Sequence, residues 1–137
     1  MQPIGRLDAD TTGLLLLTDD GALNHRLIHP KKHVEKVYEV TLKHPAADDI
    51  CARLTQGVVL DDDPQPVAAK TAELVTPTHL RMTLLEGKYH QVKRMVAACG
   101  NRVESLHRSR VGAFVLPDSL APGEWMWIDR ESVLGSR

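Results

Sequence analysis

Between residues 4 and 21 the chain reads IGRLDADTTGLLLLTDDG, which gathers Arg6, Asp8, Asp10, Asp19 and Asp20 around a run of four leucines. Carboxylates this dense suit three kinds of chemistry: they ligate a cation, cap helices, or act on a substrate as nucleophile or charge stabiliser. The cation reading fits in part. Asp8, Asp10 and Thr12 fall at positions one, three and five of a calcium loop, Gly13 at six and Asp19 at twelve. The twelfth position normally carries a bidentate Glu, however, and positions seven to ten here are all leucine. Such a run favours a buried strand over a loop wrapped on a hydrated ion, and too few residues precede Asp8 for a leading helix. No metal is expected. Asp19 and Asp20 precede a helical pattern and suit capping, while Asp10 with Thr11 and Thr12 suits a tight turn. Arg6 and Asp8 are left as either a turn ion pair or a reactive pair.

The surrounding chain bounds what such residues serve. Its 137 residues fit one domain with a real core, and 17 Lys and Arg against 18 Asp and Glu leave the net charge uninformative about partners. The distribution is more telling. From 88 to 110 the cations Lys88, Lys93, Arg94, Arg102, Arg108 and Arg110 face Glu104 alone. From 24 to 36, Arg26, Lys31, Lys32 and Lys36 face Glu35, with His25, His29 and His33 interleaved. Two basic segments in a neutral chain suit a phosphate-contacting face, or two solvated helix faces. Cys51 and Cys99 sit in apolar, helix-like contexts and read as small buried hydrophobes in a reducing compartment. No segment has the length of a membrane span or the layout of a signal peptide, so a cytoplasmic protein is expected.

The periodicity places these residues on elements. Leu14 to Thr18 reads as a buried strand closed by Asp19-Asp20-Gly21, and residues 22 to 28 as a helix with Leu23 and Leu27 on one face. VEKVYEVTL (34 to 42) alternates as a strand with Val34, Lys36, Tyr38, Val40 and Leu42 on one side. AADDICARLTQG (46 to 57) predicts a helix stopped by Gly57, and DDDPQP (61 to 66) a loop. Two strands flank Thr76-Pro77 as a hairpin, and KYHQVKRMVAACG (88 to 100) predicts a helix with Val92, Met95, Val96 and Cys99 inward. Strand character returns from 103 to 116, and Trp125 and Trp127, alternating about Met126, suit a final core strand. The class expected is α+β, a mixed, largely antiparallel sheet with flanking helices.

At this point the segments match a family. GRLDADTTGLLLLTDDG resembles the signature of the RNA pseudouridine synthases, in the RsuA-type branch. Lys36 and Tyr38 in EKVYEV are similar to its second motif, and EGKYHQVKRM, with Lys93 at the basic position, to its third. LHRSRVGAF and LAPGEW also resemble the branch, and the likeness runs in order over nearly the whole chain. His90 and Gln91 give the helix the form of enzymes acting on small-subunit ribosomal RNA (16S).

The resemblance implies that Asp8 is the catalytic carboxylate and that no cofactor is used. Such a carboxylate attacks the sugar, attacks the ring, or stabilises charge as the glycosidic bond breaks, and all three routes stay open. Lys93 is the cation expected to keep it ionised, and Tyr38 offers an aromatic face and a hydroxyl to the uracil. Arg6, Arg26, Lys31, Lys32, Lys88, His90, Gln91, Arg94 and Arg108 are the expected RNA-binding residues, several through phosphates. The partner implied is ribosomal RNA or a partly assembled small subunit, with no membrane and no obligate protein. Family members carry a small RNA-binding domain and further strands ahead of the GRLD loop; residues 1 to 137 are expected to form the catalytic domain without them, leaving a sheet edge unpaired. A large-subunit RNA target and a non-catalytic RNA-binding remnant are the competing expectations.

Overall fold

A computed structural model describes the chain except residues 6, 8–9, 29–33, 61–62, 86–89 and 135–137, and the side chains of 63, 64 and 130. Its elements are β1 (Gln2–Ile4), β2 (Thr11–Gly13), β3 (Leu16–Thr18), α1 (Gly21–Ile28), β4 (Lys36–Leu42), α2 (Ile50–Gln56) and β5 (Val58–Leu60). There follow β6 (Asp63–Val67), β7 (Thr71–Thr76), β8 (His79–Leu84), α3 (Gln91–Ala98), β9 (Val103–Val111), β10 (Phe114–Val115) and α4 (Arg130–Leu134). The main sheet runs β10-β9-β4-β8-β7, antiparallel throughout, and β2 joins β9 in parallel. This is the α+β class with a mixed, mainly antiparallel sheet.

The alternation of β4 turns Val40 and Leu42 into a core made with Leu80, Met82 and Leu84 of β8, Ile50 and Leu54 of α2, and Val92, Met95 and Val96 of α3. Burying each such side chain contributes about 2 kcal/mol. A second cluster joins Leu23 and Leu27 of α1 to Ile4, Leu14, Leu16, Val111 and Val133. The four-residue spacing of the α1 leucines is what turns both to one side. Asp20 caps α1: its Oδ1 accepts the N–H groups of Ala22 at 3.0 Å and Leu23 at 3.1 Å. Cys51 and Cys99 are free thiols, Cys99 buried, and burial pushes both up.

Several expected boundaries move, each for a local reason. The helix predicted from residue 46 starts at Ile50, because the Lys43 and Ala46 N–H groups donate to Arg102 and Pro77 carbonyls. The expected loop 61–66 instead contributes β6, which pairs antiparallel with β5. Its two prolines are tolerated because this ribbon has only two strands. The final core strand does not form. Trp125 and Trp127 stand 73% and 75% exposed, touching each other edge to face at 5.6 Å. Gly123 turns the chain at φ 82° just before them, and α4 follows instead. A short strand also precedes the GRLD segment: β1 lies antiparallel to β3, with Pro3 opposite Leu17.

Candidate active site

The acidic segment is held at both ends. Ile4 anchors its start in the second cluster, and β2 carries its end onto the edge of β9. That attachment is unusually close. A Cβ on Gly13 would stand 2.2 Å from the Arg108 carbonyl oxygen, so only glycine fits, and its φ of 114° independently favours glycine. Arg108 then grips the next residue twice. Its carbonyl accepts the Leu14 N–H at 2.8 Å, and its Nε donates to the Leu14 carbonyl at 2.9 Å. Thr12 Oγ1 meets His107 Nδ1 at 2.9 Å one position earlier.

Across the sheet the same residue faces a second expected site residue, because Arg108 pairs with Tyr38 on β4 as it pairs with Gly13 on β2. Gly13, Arg108 and Tyr38 therefore form one row over three strands. The third motif arrives from α3: Lys93 Nζ lies 2.5 Å from Asp10 Oδ1. The hydrogen bond from Lys93, and then its charge, hold the Asp10 carboxyl below the usual carboxylate range. The acidic segment, far from both in sequence, is thus tied to β4 through the Arg108 row and to α3 through Lys93.

The expected residues fare differently. Asp8, Arg6, Lys31, Lys32 and Lys88 lie outside the described residues. Arg26 is exposed on α1, and Arg94 is half-buried on α3. His90 precedes α3 with a left-handed φ of 47°. Two of the expected RNA-binding residues are buried. Gln91, 4% exposed, lies 3.7 Å from Met95 Sδ because its position in the first turn of α3 faces the core. Arg108, 3% exposed, is drawn inward by its bond to Leu14. Its Nη2 is buried without a hydrogen-bond partner among the described residues.

Sequence reasoning gave Asp10 only a turn role and gave Lys36 none beyond its motif. The usable signals were the two-residue spacing of Asp10 from Asp8 and of Lys36 from Tyr38, which sets the latter pair on one strand face. Burial, and then the charge of Arg108, push the Lys36 ammonium down. The opposite face of the sheet carries an open cleft of about 610 Å³ lined in part by Glu39, Arg81, His107 and Ser109. Glu39 there is already bound by His79 at 2.8 Å, Arg81 at 2.9 Å and Ser109 at 3.2 Å.

Known proteins were compared with this arrangement. A family model described as RNA pseudouridylate synthase matches residues 1–98. The proteins named ribosomal small subunit pseudouridine synthase A from Salmonella typhimurium (strain LT2) and Escherichia coli (strain K12) are 51% and 49% identical over 129 residues. Each match covers 94% of this chain, and the chain spans 56% of those relatives' length. A solved structure titled "Crystal structure of pseudouridylate synthase" superposes with a TM-score of 0.92 at 44% identity, over 96% of this chain and 57% of that one. An archaeal box H/ACA sRNP Nop10-Cbf5 complex shares the fold at a TM-score of 0.60 and 19% identity. By the family match and these identities, the chain belongs to the RNA pseudouridylate synthases.

Proposed function

We propose that this chain isomerises a uridine of small-subunit ribosomal RNA to pseudouridine, with Asp8 as the acting carboxylate. The observation that supports the reading is that the acidic segment is tied to two other motifs: Gly13 shares a row with Arg108 and Tyr38, and Asp10 is paired with Lys93. The names of the curated relatives support the small-subunit target.

In the reaction the bond from uracil N1 to ribose C1′ breaks, the base turns, and C5 bonds to C1′. The C5 proton leaves and N1 gains one, so atoms balance without an added reactant. The uridine must first leave its stack, which costs about a few kcal/mol. Exposed Arg26 and half-buried Arg94, with other surface cations, offset that cost through phosphates. Tyr38 stacks on the extruded uracil, and Lys93 keeps the carboxylates of the segment ionised. The substrate is free or partly assembled small-subunit RNA in the cytoplasm.

Tritium release from C5-labelled uridine in that RNA tests the reading, with wild type beside Asp8→Ala. Release by wild type, down on the order of 10³-fold or more in the variant, is expected. Equal release by the two would remove Asp8 from the chemistry. No release, from this chain and from one extended to the relatives' length, would end the catalytic reading.

A further inference from the structure

Lys36 and Arg108 are two cations set together without an anion among the described residues. Lys36 is half-buried and Arg108 is 3% exposed; burial, and then the charge of Arg108, disfavour the Lys36 ammonium. Like charges placed close together away from water repel and lose hydration, so the free protein holds them at a cost. The described carboxylates along these strands are committed elsewhere. Glu35, adjacent in sequence, pairs with Lys70 at 2.5 Å and Arg110 at 3.0 Å. Glu39 is taken by His79 and Arg81 on the other face, and Asp10 by Lys93. The Arg108 Nη2 adds a buried donor with no partner among the described residues. A buried Nη2 donor and a neighbouring ammonium, with no acceptor for either among the described residues, make a seat for an anion with several oxygens.

Resting on the proposed reaction, we infer that Lys36 and Arg108 form a seat for one backbone phosphate of the substrate RNA, that of the nucleotide whose base lies on Tyr38. Position supports this occupant. Lys36 stands two residues from Tyr38 on the same face of β4, about 7 Å along a strand. That offset suits the span from a base to its own phosphate. Arg108 is the cross-strand partner of Tyr38 itself. The phosphate supplies the missing acceptors and relieves the repulsion, so the two cations serve binding at the expense of free-protein stability.

The sign of a stability change tests this. Lys36→Met removes a charge that has repulsion and no ion partner among the described residues, so the variant should melt higher than wild type. Its binding to a small-subunit RNA transcript, followed over a salt series, should weaken roughly tenfold at fixed salt. The slope of log affinity on log salt should fall by about one phosphate contact. Arg108→Lys keeps the charge but loses the bond to Leu14, and should keep the slope. A lower melting temperature for Lys36→Met would mean that the lysine is paired within the protein and would overturn the seat. So would an unchanged slope, even if inorganic phosphate at constant ionic strength raised the wild-type melting temperature, since the seat would then hold free phosphate only. If this chain and one extended to the relatives' length both bind the RNA but release no tritium, the synthase reading ends while the slope still decides the seat.

Discussion

Sixteen described buried residues fill the core between the sheet and α2 and α3, and Val40, Leu54, Leu80, Met82, Met95 and Val96 among them are 0% exposed. The cluster under α1 and α4 has seven, and its most deeply buried member, Leu27, still shows 3%. The first is closed by strands of six to nine residues that read each other in register; the second is assembled from three-residue strands and the two ends of the described chain. The site lies on the seam. Tyr38 packs against the larger cluster, Leu14 belongs to the smaller, and Arg108 joins them. One half is therefore a stiff platform for Tyr38 and Lys93, while the acidic segment hangs on the half that opens more easily.

Truncating each core separates the two. Leu54→Ala should cost about 3–4 kcal/mol, since a fully enclosed site collapses poorly around a void. Leu27→Ala should cost about 2 kcal/mol, because the looser cluster relaxes into the gap. Denaturant melts measure both, and amide exchange adds the location. In Leu27→Ala, α1 and β3 should lose protection while β4 and β8 keep theirs. Equal costs, or exchange that rises uniformly, would mean one core rather than two.

The seam itself breaks at Gly13. A methyl group there meets the Arg108 backbone at 2.2 Å, and an L-residue at φ 114° is strained as well, so β2 must lift from β9. Gly13→Ala should cost about 1–3 kcal/mol in stability. It should reduce tritium release far more than Leu27→Ala does at matched folded fraction, because it displaces the acidic segment directly. If the two variants lose activity in proportion to stability alone, the seam has no special hold on the site.

The same contrast decides what the sequence discloses. Long alternating or 3.6-residue patterns in the larger half, from Lys36 to Leu42 and from Gln91 to Ala98, lie within a few residues of where periodicity puts them. The stripe Val92, Met95, Val96 and Cys99 is indeed buried. The smaller half and its join to the main sheet are harder, since β1 and the β2 that attaches to β9 have three residues each and no pattern can be read over so short a run. Trp125 and Trp127 show the converse error: alternation without a partner strand leaves both rings in solvent. At the candidate site, residue types pointed to Tyr38 and Lys93, but nothing local to LHRSRV says that Arg108 turns inward. That depends on the Leu14 carbonyl, 94 residues away in sequence. Long-range polar partners of this kind leave no periodic trace.

The weakest tie across the seam is the Lys93–Asp10 pair, and it tests whether charge or backbone holds the acidic segment. Asp10 titrates lower when folded than unfolded, so its stabilisation is complete above the ordinary carboxylate range and is lost as pH falls through the lowered folded value. Asp10 is exposed, so water and salt screen the pair and its effect is small. Asp10→Asn should therefore lower the melting temperature slightly at neutral pH and low salt, and the difference should vanish in acid or at high salt. Melting curves of both proteins at two salt concentrations check it. The Leu14 and Gly13 contacts with Arg108 carry no titrating carboxylate, so they persist through that pH range. If Asp10→Asn instead destabilises as much as Gly13→Ala, the ion pair and not the parallel β2–β9 contact fixes the segment that carries Asp8.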